Sequence, residues 1–273
     1  GNHSVPAPGC TLSQMVTVSG TMNVSGVAGA SPLHELAAVG GTPTASDPKR
    51  HFRVNDGATL AVHYLVLRGG RVWSTYASNN LVNVIGGSIL VADASASLVR
   101  IAHSMCSFNE AGAGGCIGST NGGVFELISS SFFSNRAGHG GAVWVMTGYS
   151  MTLEDSTFES NTATEGAGGA ISCGTSVQLR GGSNTFIGNR DSGNRDTNTF
   201  YHYDGSISFT TCPPGTFQDA SPLSTDVDLD FIGCLYVCPE GKTTGDEATL
   251  ATSGKSCIAG TEHMDWVPLG DAS

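Results

Sequence analysis

A repeat that runs from Ile101 to Asn189 constrains the fold of this chain more than any other feature. It contains the motif Phe-x-x-Asn, followed in the clearer copies by a Gly-Gly pair and a small residue. The motif is written four times, with Cys in place of Phe in the first copy, at a spacing of 26 residues that lengthens to 28 before the last copy, which lacks the glycine pair. Three columns recur in register: Ile101, Leu127, Leu153 and Leu179; Cys106, Phe132, Phe158 and Phe186; Asn109, Asn135, Asn161 and Asn189.

A fixed period of this size indicates a solenoid in which each repeat covers the apolar face of its neighbour. The units are rich in Gly, Ser, Thr and Asn, and their apolar residues lie two positions apart, as in Val143 and Val145. That spacing is typical of short strands separated by turns. We therefore predict a single-stranded parallel β-helix of about seven coils, with equivalent strands stacked about 4.8 Å apart.

The repeat columns predict how the interior is built. The asparagines are expected to form a hydrogen-bonded ladder at one turn, and Phe132, Phe158 and Phe186 to stack inside. The glycine pair fits a tight corner that requires positive φ, with the following Ala side chain turned inward. Cys106 and Cys116 replace a Phe and an Ala of the repeat, so they fall on adjoining strands of one coil and are expected to pair across the corner.

Over residues 86–189, Phe-x-x-Asn followed by Gly-Gly-Ala-Ile resembles the repeat of the chlamydial polymorphic outer membrane proteins. Similar repeats occur in many secreted right-handed β-helix proteins. The resemblance implies a right-handed β-helix and a surface-exposed adhesive or structural role. It brings no catalytic residues with it.

The residue pattern of the chain changes after residue 210. Cys212-Pro213-Pro214-Gly215 is echoed by Cys238-Pro239-Glu240-Gly241, and each is followed by one further cysteine. From the sequence alone, these four cysteines can pair in three ways. The pattern resembles the small modules of ephrin-receptor-like extracellular repeats, which implies the pairs Cys212–Cys234 and Cys238–Cys257. We divide the chain into a β-helix (1–210) and a small disulfide-rich module with its tail (211–273).

The cysteine content favours an oxidising compartment. The chain has eight cysteines, an even number, and no Cys-x-x-Cys pair. A disulfide framework in a secreted protein is favoured over zinc, because no His stands at ligand spacing beside a cysteine. We expect all eight to be oxidised. Nothing in the sequence favours a Cys10–Cys173 pair except that these two cysteines remain after the others are paired.

The composition limits the classes of partner and the locations that fit this chain. The net charge is −11, which argues against nucleic acid as a ligand. No apolar run approaches the ~18 residues of a membrane span. The chain starts at Gly1 without a signal-like stretch, so we expect a mature, secreted product. Asn2-His3-Ser4 and Asn23-Val24-Ser25 are N-glycosylation sequons, so Asn2 and Asn23 are candidate glycosylation sites.

Two segments near the start are candidate end pieces of the solenoid. Residues 1–10 lack periodicity and are predicted to form an extended arm. Residues 31–39 are predicted to be a short helix or strand that caps the open end, because end coils expose unpaired backbone groups.

Catalysis by a β-helix would need carboxylates, or a carboxylate with a basic residue, on one face. Glu126 and Glu154 flank the leucine column and are candidates to face outward side by side, but solvated acids are the favoured interpretation. Gly138-His139-Gly140 matches one motif of the polygalacturonases, but the paired aspartates that accompany it there are missing, so we interpret the match as chance.

Two further clusters of polar side chains lie after residue 200. Asp226, Asp228 and Asp230 alternate along one predicted strand and offer oxygen ligands to calcium, but a solvated strand edge is favoured. The cluster formed by Tyr201, His202, Tyr203 and Asp204 offers a surface on which a sugar can stack, but a cover over the end of the solenoid is favoured.

These observations predict an extracellular, non-enzymatic structural or adhesive protein with no cofactor and no metal. We expect it to be a head-to-tail homopolymer joined through its strand edges, with surface glycans as a further possible partner. A carbohydrate-binding or polysaccharide-cleaving β-helix is the alternative. A third class, an adhesin for a protein receptor, should show an exposed aromatic patch on one sheet.

Overall fold

The structure is a computed structural model. It describes residues 1–7, 9–38, 42–44, 47–72, 84–92, 96–148, 150–180, 183–192 and 200–202, together with short strands beyond residue 206. Within these residues the chain is all-β and contains no helix, and parallel strands lie in stacked sheets. The predicted parallel β architecture, that of a solenoid, is confirmed at this level.

Sheet A and sheet B each contain eight strands. The strands of sheet A are all parallel: Asn2–Ser4 (β1), Thr21–Ser25 (β4), Thr59–His63 (β7), Leu98–Ala102 (β10), Val124–Ile128 (β14), Ser150–Glu154 (β18), Val177–Arg180 (β22) and Ile207–Phe209 (β25). Sheet B is parallel except for its last strand: Gly9–Thr11 (β2), His34–Ala37 (β5), Leu65–Arg68 (β8), Met105–Ser107 (β11), Ser131–Phe133 (β15), Thr157–Glu159 (β19), Ser183–Ile187 (β23) and Phe231–Gly233 (β28).

Sheet C is the third eight-stranded sheet, and its last strand is again antiparallel: Val16–Val18 (β3), Phe52–Val54 (β6), Ile89–Val91 (β9), Ile117–Ser119 (β13), Val143–Val145 (β17), Ile171–Cys173 (β21), Phe200–His202 (β24) and Asp226–Val227 (β27). A three-stranded sheet D comprises Glu110–Ala113 (β12), Arg136–His139 (β16) and Thr162–Ala163 (β20). Two antiparallel pairs follow: Thr216–Phe217 (β26) with Tyr236–Val237 (β29), and Lys242–Thr243 (β30) with Ile258–Ala259 (β31).

The strand register follows the repeat. Ile101 pairs with Leu127, which pairs with Leu153 on the next strand of sheet A. All three side chains are buried, and their strand neighbours alternate between the interior and the outer surface. Because side chains alternate in direction with a period of two along each strand, one apolar column points into a core shared by all three sheets.

The corners use left-handed backbone at equivalent positions of successive repeats. Phe108, Ser134, Ser160 and Gly188 all have φ between 51° and 58° at the turn that follows sheet B. The first glycine of each pair behaves similarly; Gly140 has a φ of 54°, and a Cβ there would collide with the carbonyl oxygen of Val143. The Ala side chains after the glycine pairs, Ala142 and Ala170, are fully buried. The glycine corner predicted from the repeat has this geometry.

The prediction of an N-terminal arm over residues 1–10 is wrong. Strand β1 pairs with β4 and strand β2 pairs with β5, so these residues begin sheets A and B. Val5 between them is buried, its N–H donates to the Ser25 carbonyl, and its own carbonyl lies 2.8 Å from Nδ1 of His34. The segment contains no copy of the repeat motif, but backbone pairing of its strands with β4 and β5 is sufficient to order it.

For residues 31–39 the predicted strand is confirmed as β5, but the prediction that it caps the open end is wrong. Strand β5 lies in the interior of sheet B, between β2 and β8, and Leu36 on it is buried in the core. The segment is therefore an ordinary strand, because its alternating burial places Leu36 in the same inward column as Leu67.

Candidate functional site

The asparagine column forms a ladder inside the turn after sheet B. Asn109 Nδ2 donates to Asn135 Oδ1 at 2.9 Å, Asn135 Nδ2 to Asn161 Oδ1 at 3.0 Å, and Asn161 Nδ2 to Asn189 Oδ1 at 2.9 Å. The same oxygens accept the backbone N–H of the preceding asparagine in the ladder. All four residues are buried, so the column holds the turns together and offers no surface to a ligand.

The phenylalanine column lies in the core. The rings of Phe132 and Phe158 stack with centroids 4.6 Å apart, those of Phe158 and Phe186 at 5.0 Å, and all three side chains are fully buried. Cys106 continues the column on β11, in register with Phe132. The phenylalanine column therefore belongs to the core and exposes no group to a ligand.

Cys106 and Cys116 form a disulfide across the corner, with their Cα atoms 6.2 Å apart, as the repeat predicts. The prediction that all eight cysteines are oxidised is wrong for two of them: Cys10 and Cys173 are free. Cys10 lies on β2 at the N-terminal edge of sheet B, whereas Cys173 lies on β21 in sheet C, five strands in from the edge strand β3, so no pairing geometry exists. Cys212, Cys234, Cys238 and Cys257 lie outside the described residues.

The two sequon asparagines are neighbours on the edge of sheet A. Asn2 on β1 is in register with Asn23 on β4, and Asn23 Nδ2 donates to Asn2 Oδ1 at 2.8 Å. Asn2 is exposed and Asn23 partly exposed. A glycan on Asn23 would be attached to the nitrogen that donates this bond, whereas a glycan on Asn2 would leave the accepting Oδ1 in place.

The structure separates the two candidate carboxylates Glu126 and Glu154. Both lie on the outer face of sheet A, but Glu126 is in register with Thr152, and Glu154 with Ile128. Glu126 instead forms an ion pair with Arg100 on the preceding strand, at 3.5 Å. The expectation that the two acids stand side by side is wrong, because they occupy different positions within their strands.

His139 ends β16, where burial lowers its pKa below the usual range while the nearby Glu165 carboxylate opposes the shift. Its ring packs where a side chain at position 166 would otherwise stand, since a Cβ on Gly166 would overlap it. Of the other candidates, Tyr201 and His202 lie on β24 and Asp226 begins β27. Tyr203, Asp204, Asp228 and Asp230 lie outside the described residues.

A buried polar cluster that the repeat pattern does not predict lies at the start of β6. Arg50 is only 2% exposed, and its guanidinium donates to the carbonyls of Ile85 and Gly86. Burial, aided by the nearby Arg53 charge, lowers the Arg50 pKa to about 9. His51 Nε2 donates to the Leu36 carbonyl at 2.7 Å. The hydrogen bonds of this cluster connect neighbouring coils. No pattern in the sequence indicates its position.

The N-terminal end of the three sheets is open. Strands β1, β2 and β3 each have a strand partner on one side only, and the described residues place no strand or helix over the other side. Cys10 is the first residue of the inward column that continues through Leu36 and Leu67, yet it is exposed, because no residue of the described segments stacks upon it. Leu12 and Val16 at the same end pack on the core but are only partly buried.

The outer face of sheet B carries a groove of about 510 Å³. It runs across β5, β8, β11, β15 and β19 and is bordered by Pro32 and Leu33. Phe108, 47% exposed at the adjoining turn, meets the Phe133 ring edge to face, with centroids 5.5 Å apart. The groove is therefore lined by an exposed aromatic pair.

Charged side chains flank these rings. The Arg68 guanidinium lies 4.9 Å from the Phe108 ring centroid and 3.5 Å from the Glu35 carboxylate. Glu159 also lines the groove, in register with Phe133 on one side and Ile187 on the other. A second depression of about 420 Å³ adjoins the groove and is lined by the stacked rings of Tyr64 and His103, whose centroids are 5.1 Å apart.

In the described part of the chain no group of three or more His, Cys, Asp or Glu side chains is placed to hold a metal ion. The same residues include no helix long and apolar enough to cross a membrane. Comparison with known proteins found no match among protein-family models, curated proteins or solved structures.

Proposed function

We propose that this chain is a secreted, non-enzymatic structural or adhesive protein that assembles with copies of itself, head to tail, into an extracellular filament. The observation that carries the proposal is the open N-terminal end, where three sheets stop at strands with one partner each. Unpaired strand edges are templates for pairing with another chain, and monomeric proteins usually cover them.

The backbone at this end is presented in the orientation that pairing needs. Val16 N–H donates to the His51 carbonyl, and the Val18 carbonyl accepts from Asn55 N–H, so both residues are directed toward β6. Because successive residues of a strand alternate in direction, the N–H and C=O of Thr17 point away from the sheet. Its side chain is exposed.

The joint we propose continues sheet C. Strand β27 is the last strand of that sheet, and within the described residues it pairs only with β24. The edge of β3 on the next copy, which carries the outward-facing N–H of Thr17, would lie beside the free edge of β27 as a further strand. Such a contact joins two different surfaces, so it repeats without closing and propagates as a filament.

The finer architecture belongs to the same proposal. We take the solenoid to be a right-handed β-helix of about seven coils over 1–210, followed by a module over 211–273 with the pairs Cys212–Cys234 and Cys238–Cys257. The Cys106–Cys116 disulfide supports an extracellular location, and Asn2 or Asn23 would carry the glycan. The resemblance to the chlamydial repeat proteins, which implies a surface role, supports the adhesive part.

Polysaccharide cleavage, the alternative, would need neighbouring acids. Glu126 is paired with Arg100 and is out of register with Glu154, so nothing in this pair favours the alternative.

The test is a single substitution at the open edge. Thr17→Pro removes the outward-facing N–H of β3 at a position where proline is tolerated, because that N–H makes no bond within the sheet. We expect Thr17→Pro to abolish filaments in electron microscopy and to leave a folded monomer in sedimentation velocity. Thr17→Val, which keeps the N–H, is the matched control and should polymerise normally. An unmodified protein that stays monomeric at high concentration would refute the proposal, as would a Thr17→Pro variant that still polymerises.

A further inference from the structure

We propose that the groove on the outer face of sheet B binds an extended peptide segment of another protein that presents basic and apolar side chains on the same face. This site goes beyond the proposed self-assembly, because it lies on the side of the solenoid and not at its end. It is independent of the open strand edges.

The dimensions of the groove suit a short extended segment. It crosses five neighbouring strands of sheet B, from β5 to β19, which are spaced about 4.8 Å apart, so its floor is about 20 Å long. An extended peptide advances about 3.3 Å per residue, so about six residues fill it. Pro32 and Leu33 form a wall at the β5 end.

The floor supplies apolar contact. Val66, Met105 and Phe133 point outward from three successive strands and are partly exposed, and Phe108 stands at their border. Ile187, 49% exposed, extends the apolar surface beyond Glu159. Apolar side chains that are contiguous and accessible in this way are typical of binding surfaces on soluble proteins, and aromatic residues dominate the energetics of such surfaces.

The charges decide which kind of peptide fits. Arg68 is already engaged by the Glu35 carboxylate and by the Phe108 ring, so its charge is largely compensated. Glu159 lies between Phe133 and Ile187 and has no ion-pair partner among the residues that the structure describes. The uncompensated charge within the apolar surface is therefore negative. Its complement is a Lys or Arg two positions away from an apolar residue, because alternate side chains of an extended peptide share one face.

The other occupants fit less well. A second copy of this chain carries a net charge of −11 and would bring more negative charge to the same surface. A glycan needs a free aromatic face surrounded by hydrogen-bonding groups, whereas Phe108 is engaged by Arg68 and by Phe133, and the neighbouring floor is aliphatic.

Binding is tested on the full chain with a fluorescein-labelled hexapeptide, Leu-Ser-Lys-Ser-Leu-Ser (the Lys-Leu peptide), whose Leu and Lys side chains share one face, and is followed by fluorescence anisotropy. The matched Glu-Leu peptide has Glu in place of Lys, so it keeps the apolar residues and reverses the charge. We expect saturable binding of the Lys-Leu peptide that weakens as salt is raised, and at least about tenfold weaker binding of the Glu-Leu peptide.

Two variants locate the site. Phe108→Ser installs the residue that occupies the equivalent left-handed turn position at Ser134 and Ser160, so the corner should still form. It should weaken Lys-Leu binding about tenfold, because the exposed ring is lost. Glu159→Gln should weaken binding about threefold and flatten the salt dependence. Glu154→Gln, the same change on the outer face of sheet A, is the control and should bind as the unmodified chain does.

Three outcomes would overturn the proposal: no saturable binding, equal affinity for the two peptides, or equal effects of Glu159→Gln and Glu154→Gln. Displacement of the peptide by a neutral oligosaccharide at lower concentration than by a second peptide would assign the groove to a glycan instead. The Thr17→Pro monomer should bind the peptide as the unmodified chain does, so failure of this site and failure of the filament are distinguishable.

Discussion

Folding keeps the His51 side chain neutral in a pH range where a free histidine becomes charged. It is fully buried at the start of β6, and burial lowers its pKa from 6.5 to about 4, against the opposing effect of backbone hydrogen bonds. With Nε2 donating to the Leu36 carbonyl, the neutral ring accepts from the Ser88 hydroxyl through Nδ1, at 2.9 Å. Both nitrogens of the neutral imidazole are thus satisfied, and a second proton would displace the Ser88 hydroxyl from Nδ1.

This arrangement makes stability depend on pH in a defined window. Between pH 6.5 and about 4 the unfolded chain binds a proton at His51 while the folded chain does not, so the free energy of unfolding falls as the pH is lowered through this range. A shift of this size corresponds to about 3 kcal/mol. Denaturant unfolding at pH 7.5 and at pH 4.5 should show a smaller acid-induced loss for His51→Gln than for the unmodified protein.

His3→Gln is the control for this measurement, because His3 is exposed on the edge strand β1. It should keep the full pH dependence. Equal acid-induced losses in the unmodified protein and in His51→Gln would show that His51 is not the group responsible.

At the scale of the strands, the stability of the solenoid depends on columns that cross from one strand to the next. Strands β15, β19 and β23 present alternate faces to the interior and to the groove, so Phe132 and Phe158 are fully buried while Phe133 is partly exposed. Two neighbouring phenylalanines in one strand therefore have different roles, because the side-chain period of a strand is two.

Phe158→Ala should lower the free energy of unfolding by about 3–5 kcal/mol, because it opens a cavity between two stacked rings. Phe133→Ala removes an equally large side chain from the outer face of the neighbouring strand and should cost about 1 kcal/mol, mainly the edge-to-face contact with Phe108. Equilibrium denaturation of both variants measures the difference. A cost for Phe158→Ala below about half a kilocalorie, far under the usual range for a buried Phe, would mean that the column faces water.

At the scale of the whole molecule, the two ends of the described solenoid differ. At the C-terminal end, sheets B and C finish with the antiparallel strands β28 and β27, whereas at the N-terminal end all three sheets finish with parallel strands. Among the described residues two cysteines are free, and they differ in burial: Cys10 is exposed at the open end, and Cys173 is buried on β21, where burial raises its pKa to about 12.

Alkylation with iodoacetamide under native conditions, mapped by mass spectrometry, should therefore modify Cys10 and leave Cys173 intact until the protein is unfolded, because the reagent needs an accessible thiolate. If the open end is the subunit joint, Cys10 should also react more slowly in filaments than in the Thr17→Pro monomer. Equal labelling of both thiols in the native monomer, or a disulfide between them, would contradict this arrangement.

Much of the central solenoid could be predicted before the structure. Successive repeats place Asn109 and Asn135, or Phe132 and Phe158, at equal spacing, and parallel strands bring equivalent positions into register, so the ladder, the ring stack and the Cys106–Cys116 pair follow from the repeat alone. The first ten residues were misassigned because β1 and β2 carry no copy of the motif.

The sequence by itself thus determined the strand period, the parallel stacking and the inward columns, since these depend on local alternation repeated along the chain. Only the tertiary structure decided what each outer surface presents. The register places Glu126 beside Arg100 and not beside Glu154, and the packing of coils buries Arg50 and His51. The groove around Phe108 likewise combines residues from five strands and a preceding loop. Exposure at such places depends on which strands become neighbours, and no single stretch of sequence contains that information.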